Sequence, residues 1–344
     1  MEIFKMKVTT FGEIMLRLTV PGGRKFVQTD SFNANYGGAE ANVAVSLALL
    51  GDQVAYVTKL PKNELGTAVT QRLGGYGIDT KKILYNDSRL GIYFLQQGSG
   101  VRSSSVIYDR ADSAFATSNS NDYNWQELLK DTDFFYISGI TPALSTELQT
   151  SLLSAVEFCR SHHIQVVYDA NFRGKLWTPD EAAAFNKKLL PFVDICFVHD
   201  EDIENAFGLA TFSKHDNHAI NQKASFKQSL KKLITAYPNI KLVGSVLRNI
   251  DSAQESQWMA LMLTGGTFYE SPTYKMNVVP EVASGDAFGA GIVHGILNHF
   301  DPQFQVDYAI AAAVLKLTIP GDFNLSSDAE IKAAMINPTG SIKR

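Results

Sequence analysis

The chain predicts an α/β fold, a mainly parallel sheet covered by helices on both faces and carrying a small second sheet. Short apolar runs at 134–138, 165–169 and 195–198 alternate with helical stretches at 145–160, 178–190 and 200–207. Strands that are apolar throughout need cover on both sides, and intervening helices supply it in parallel sheets. A third feature breaks the alternation. Two strand-like runs, 91–97 and 104–109, are joined by Gly98-Ser99-Gly100, which reads as a β-hairpin and so as a lid or small second sheet.

Taken in order, 8–20 reads as strand with an early turn at Gly12-Glu13, broken by Pro21-Gly22-Gly23. Residues 26–36 are mixed and fit an edge strand. After Gly37-Gly38 the pattern becomes a small-residue apolar helix over 39–50, stopped by Gly51, then a β-branched and aromatic strand over 53–58. A helix at 65–76 closes at Gly77. Beyond the central alternation, 212–228 is polar and reads as a surface insertion. Strands follow at 241–246, 258–263 and 267–269, the last two as a hairpin. Helices at 284–300 and 306–318 complete the chain, the second ended by Ile319-Pro320-Gly321-Asp322.

The 344 residues carry a formal charge of -4 and two cysteines. Cys159 and Cys196 are far apart in apolar surroundings, which predicts buried free thiols and a reducing, cytoplasmic setting. The first residues mix charge with apolar side chains, unlike a signal peptide, and no run is long and apolar enough for a membrane span. Scattered Lys and Arg on an acidic chain argue against nucleic acid as a partner. His215 and His218 flank Asp216-Asn217 in a polar segment that reads as solvated loop before metal site.

The chemistry centres on Ala283-Ser284-Gly285-Asp286-Ala287-Phe288, which opens the helix at 284–300. Small residues let amides approach an anion, the helix dipole adds positive potential, and Asp286 places a carboxylate beside it. Phosphoryl transfer needs that combination, since amides stabilise developing charge while a carboxylate takes a hydroxyl proton. On their own the six residues read first as a close-packed helix whose Asp favours the first turn. Two further groups stand at strand ends. Arg173 lies in Asp169-Ala170-Asn171-Phe172-Arg173, and Arg110 in Tyr108-Asp109-Arg110, each able to grip a carboxylate or phosphate through a planar fork or to serve a structural ion pair. Tyr93 and Tyr108 are free to stack on a ligand or to pack. No Gly-Lys-Ser/Thr phosphate loop and no Gly-x-Gly-x-x-Gly after the first strand is present.

Several motifs in order resemble the ribokinase-like (pfkB) carbohydrate kinase family, and within it the branch acting on 2-keto-3-deoxygluconate. They are Gly37-Gly38-Ala39-Glu40-Ala41-Asn42-Val43-Ala44, Lys59-Leu60-Pro61 with Leu65-Gly66, Arg89-Leu90-Gly91-Ile92-Tyr93-Phe94, and Tyr108-Asp109-Arg110-Ala111 with Ser113-Ala114. The resemblance continues through the Asp169 to Arg173 motif with Leu176-Trp177, Gly285-Asp286-Ala287-Phe288, and Thr318-Ile319-Pro320-Gly321-Asp322-Phe323-Asn324. It implies one domain over 1–344, a three-layer α/β/α sandwich with lid segments at about 14–36 and 88–112, and a kinase using ATP and magnesium. By the resemblance Asp286 is the catalytic base, and the amides of Ala283, Ser284, Gly285 and Asp286 form the anion hole. Gly38, Ala39, Asn42, Tyr93, Tyr108, Arg110, Arg173 and Asp322 fall at sugar-acid contacts; Asn171, Ser245, Arg248 and Gly285 fall where ATP lies. A lid hairpin with an apolar face could pair with a second copy, which gives a homo-oligomer as the expectation. Three departures from the family pattern stand out. Ala283-Ser284 replaces Gly-Ala, Pro280 replaces an Asp linked to a monovalent cation, and His199-Asp200-Glu201-Asp202 stands where Asn and then Glu are usual. They open a second expectation, a sugar-acid binding protein whose phosphate site has lapsed.

Overall fold

A computed structural model describes residues 6–199, 201–211, 218–278 and 282–337. Six parallel strands run inward from one edge of a nine-stranded sheet, in the spatial order Gln53–Val57, Lys7–Phe11, Phe134–Ser138, Gln165–Asp169, Ile195–Phe197 and Leu242–Ile250. Glu255–Thr264 then adds antiparallel, and Thr267–Glu270 and Tyr274–Asn277 pair with different parts of it. Alternation along each strand divides the interior into two layers. Phe134 and Tyr136 join Val8, Tyr56 and Phe197 on one face, where they meet the helices Ala39–Leu49, Ser284–Leu297 and Pro302–Lys316. Phe135 and Ile137 join Phe11, Val166 and Tyr168 on the other, under Thr146–Ser161, Pro179–Leu189 and Lys223–Ala236. The three-layer arrangement expected from the alternating runs is therefore present.

Differences from the sequence reading have local causes. Lys223–Ala236 is a helix inside and beyond the stretch read as a polar insertion; its buried residues Phe226, Leu230 and Leu233 are widely spaced among Lys, Gln and Ser. Leu242–Ile250 runs past 246 because its partner strand continues the ladder to Ile250. The strand Tyr274–Asn277 was not anticipated, nor was the helix Asp328–Ile336, although Ser327 and Glu330 form a capping box at its start. The helix read at 200–207 spans only Asp202–Asn205. Asp200, His215, Asp216, Asn217 and Pro280 lie outside the described residues. His218 has its Nε2 3.5 Å from Asp251 Oδ1.

A separate four-stranded sheet has the order Asn33–Gly37, Met15–Thr19, Ile92–Gln96, Ser105–Asp109. Its register aligns Arg17, Tyr93 and Tyr108 on one face and Leu18, Phe94 and Ile107 on the other. The first row faces the cavity described below; the second is the apolar outer side, with Ile107 half exposed. The hairpin tip bridges back to the main body. Gly100 N donates to Gln254 Oε1 at 2.8 Å, and Ala253 N donates to Gly100 O at 3.0 Å. Cys159 and Cys196 are buried free thiols. Among the described residues no helix is long and apolar enough to cross a membrane.

Candidate active site

A cavity of about 1160 Å³ opens at the carboxyl ends of the parallel strands, between them and the small sheet. Ligands of open α/β sheets bind at that end, because loops there converge and helix N-termini point at it. Asp286 stands at its floor, in the first turn of Ser284–Leu297 and only 8% exposed. Asn42 Nδ2 donates to its Oδ2 at 2.7 Å and so fixes the carboxylate. Burial pushes the Asp286 pKa up to about 6, against the pull of Asn42, Arg173 and His199. A carboxylate with that pKa is ionised at neutral pH yet basic enough to take a proton as a hydroxyl reacts.

Ala283 is the N-cap and has φ 73° and ψ 17°, the left-handed region natural to Gly. The turn that a Gly would make is thus made by Ala, with strain of about 1 kcal/mol or somewhat more. Ala283→Gly is expected to stabilise the protein by about 0.5–1 kcal/mol in urea unfolding, after the extra unfolded-state entropy of Gly is subtracted. A loss of similar size would show that Ala283 is unstrained. Ser284 and Gly285 line the same part of the cavity.

The Gly37-Gly38 turn is required by close approach. A Cβ on Gly38 would stand 2.0 Å from the carbonyl oxygen of Glu13, and one on Gly37 would stand 2.3 Å from Asp322 Cγ. These contacts let the helix Ala39–Leu49 begin against the cavity, with Gly38, Ala39 and Asn42 in its lining. Tyr93, Tyr108, Arg110, Asn171, Arg173, Arg248 and Asp322 line it too. Ser245 does not. It is 1% exposed on a strand whose residues Val246, Arg248 and Ile250 face the cavity, so alternation turns Ser245 away from the lining.

The two arginines differ. Arg110 is buried and donates through Nε to Glu13 Oε2 at 2.8 Å and through a second guanidinium nitrogen to the same oxygen. Ser113 Oγ donates to the other Glu13 oxygen at 2.5 Å. Arg173 has backbone carbonyls as its hydrogen-bond acceptors, Phe172 O at 3.0 Å and Asn171 O at 3.4 Å, and no ion pair among the described residues. Its charge is thereby available to an anion in the cavity, as are those of Lys175 and Arg248, which also line it. Arg248 lies 5.8 Å from the Trp258 ring centroid at the far side.

Glu13 and Arg17 escaped the sequence reading as site residues, whereas Asp169 and His199 stood there within motifs without a contact of their own. Glu13 holds Arg110. Arg17, 1% exposed, donates to Asp322 Oδ2 at 3.0 Å, while Tyr93 Oη donates to the other Asp322 oxygen. A charged residue at an inward position of a strand, between Leu16 and Leu18, was the available signal. Asp169 ends its strand on the cavity floor, 3% exposed, with Oδ1 unpartnered; burial pushes its pKa up to about 8. His199 also lines the cavity. Among the described residues no group of three or more His, Cys, Asp or Glu side chains could hold a metal ion.

Comparison with known proteins agrees with this architecture. The pfkB family carbohydrate kinase profile matches residues 5–329. A 2-dehydro-3-deoxygalactonokinase from Haloferax volcanii is 30% identical over 338 residues, covering 98% of this chain and 99% of the relative. A 2-dehydro-3-deoxygluconokinase from Bacillus subtilis is 25% identical, covering 93% and 92%. The crystal structure of a 2-dehydro-3-deoxygluconokinase from Thermotoga maritima superposes with a TM-score of 0.92 at 38% identity, covering 96% of this chain and 100% of that one.

Proposed function

Because the chain belongs to the pfkB family of carbohydrate kinases, we propose that it moves the γ-phosphoryl group of ATP to the 6-hydroxyl of 2-keto-3-deoxygluconate. The observation that carries this reading is the pairing, in one cavity, of a buried carboxylate at a helix N-terminus, Asp286, with a cation that has no ion pair among the described residues, Arg173. A neutral sugar offers Arg173 only uncharged oxygens, whereas a keto-sugar acid brings a carboxylate that its planar fork can grip. Arg173 and the guanidinium of Arg110, held in place by Glu13, orient the acid. Tyr93 and Tyr108 close the sugar subsite from the small sheet, which acts as a lid, and Asp322 meets Tyr93 from the main body. Asp286 accepts the proton of the attacking hydroxyl, and the amides of 283–286 receive the charge that develops on the phosphoryl oxygens. Magnesium comes with the nucleotide, whose phosphates supply several of its oxygen ligands.

The galactonate epimer is a second reading, favoured by the name of the Haloferax relative. One hydroxyl's orientation separates the two acids, and small shifts of polar groups decide it. A coupled ADP-release assay with magnesium-ATP tests both against gluconate, fructose and ribose. Turnover confined to the keto-deoxy acids is expected, and their relative kcat/KM chooses the epimer. Turnover of fructose or ribose alone would overturn the assignment. Calorimetric binding of a keto-deoxy acid without any turnover would make the chain a sugar-acid binder instead. The apolar row Leu18, Phe94 and Ile107 is assigned to a second copy of the chain. A monomer mass by light scattering at micromolar concentration would remove that assignment.

A further inference from the structure

His199 has no task in the scheme above, yet one carboxylate oxygen fixes both its backbone and its ring on the cavity floor. Its backbone N donates to Asp202 Oδ2 at 2.6 Å, and its Nδ1 lies 3.1 Å from the same oxygen. Asp202 is itself fixed, since its other oxygen accepts from Phe172 N at 3.0 Å and the side chain is 2% exposed. With Nδ1 committed to Asp202, the opposite edge of the ring is aimed by default. Both Cε1 and Nε2 lie 3.8 Å from the point where a Cβ on Gly285 would stand. The ring therefore faces the first turn of Ser284–Leu297 across the space that Gly285 leaves open, and its side chain is 39% exposed there.

We propose that His199 is a phosphate-binding residue that donates Nε2–H to an oxygen of the transferring phosphoryl group at the first turn of Ser284–Leu297. The proposal deepens the kinase reading and rests on it for the identity of the anion. A ring with Nδ1–H on Asp202 presents a lone pair at Nε2 when neutral, so contact with an anion requires the imidazolium. The groups facing the ring are Asp202 from its own short helix, Asp169 from the adjacent strand end, Arg248 from the strand beyond, and Asp286 from the helix across the gap. Burial lowers the pKa of His199 and Arg248 does the same, but Asp202 and Asp169 outweigh them and the net shift is upward. The contact is therefore strongest at low pH and is lost as pH rises through the raised imidazole range.

Inorganic sulfate is the probe, because its charge is constant between pH 7 and 9. Calorimetry on the full chain and on His199→Asn and His199→Gln is expected to show sulfate binding about tenfold weaker in both variants at pH 7. Native affinity should fall by about the same factor between pH 7 and 9, in excess of any fall in the variants, which retain Asp169 and Asp286 and so report their titration. Equal affinity and equal pH dependence in native and variant protein would overturn the proposal. Should neither variant fold, the native chain decides. Sulfate must shift the Nε2 resonance of one of its seven imidazoles in a nitrogen-15 spectrum, and no shift overturns the contact. Failure of the kinase reading looks different: no sugar acid turns over, while the sulfate difference persists. Turnover by a His199→Asn variant with native KM for ATP and native sulfate affinity removes His199 and leaves the kinase.

Discussion

Asp286→Asn is expected to lower kcat by about a thousandfold while leaving calorimetric affinity for the sugar acid within about threefold of native. Asn keeps the shape and can still meet Asn42, but it cannot accept the proton of the hydroxyl. The pH profile of the native enzyme carries the same information. With a pKa of about 6 in the folded state, Asp286 is a base only above that value, so log kcat/KM should rise with unit slope below pH 6 and level off above it. Stability moves the other way. A carboxyl whose pKa rises on folding stabilises fully below its unfolded pKa, near 4, and that contribution is lost as pH rises through the folded value. Asp286→Asn should therefore melt no lower than native protein at pH 8, and its stability should decline less between pH 4 and pH 7. A variant that retains native turnover, or one that has lost turnover because it no longer binds ligand, would each remove Asp286 as the base.

The sequence carried the main layers because burial on both faces writes itself into a strand. Residues 134–137 and 166–168 are apolar or aromatic without a break, and both strands were located to the residue. Gly37-Gly38 and the Gly285-Asp286 helix start were legible for a related reason, since close backbone approach and anion contact demand small residues at fixed positions. What the sequence hid is long-range pairing of charge. Nothing in Gly12-Glu13 announces that Glu13 will hold Arg110, 97 residues later, or that Arg110 is thereby less free than Arg173. Ser245 is a different case. The stretch was placed correctly in a strand beside the cavity, but the face of each residue depends on register, and a shift of one position reverses it. The helix Lys223–Ala236 was missed because only one narrow stripe of it is apolar, against a polar background typical of a loop.

Arg17→Met is expected to destabilise the protein by about 3–5 kcal/mol in urea unfolding, since it removes a cation that Asp322 meets out of water. Both side chains are nearly inaccessible, Arg17 at 1% and Asp322 at 3%, so solvent cannot screen the carboxylate once its partner is gone. Tyr93 still donates to Asp322, which limits the loss but does not replace the charge. Removing both charges together tests the cause. Arg17→Met combined with Asp322→Asn should recover most of the stability, because an uncharged amide can accept from Tyr93 without a buried ion to compensate. If the double variant is as unstable as the sum of the two single ones, the pair is not coupled and the loss came from packing around Arg17. The location of the pair adds a functional consequence. Arg17 and Tyr93 belong to the small sheet, whereas Asp322 follows the helix Pro302–Lys316 of the main body, so this cluster ties one to the other across the sugar subsite. In the single variant the KM for the sugar acid should rise with little change in the KM for ATP. A rise in both would mean that the whole cavity, and not the attachment of the small sheet, had given way.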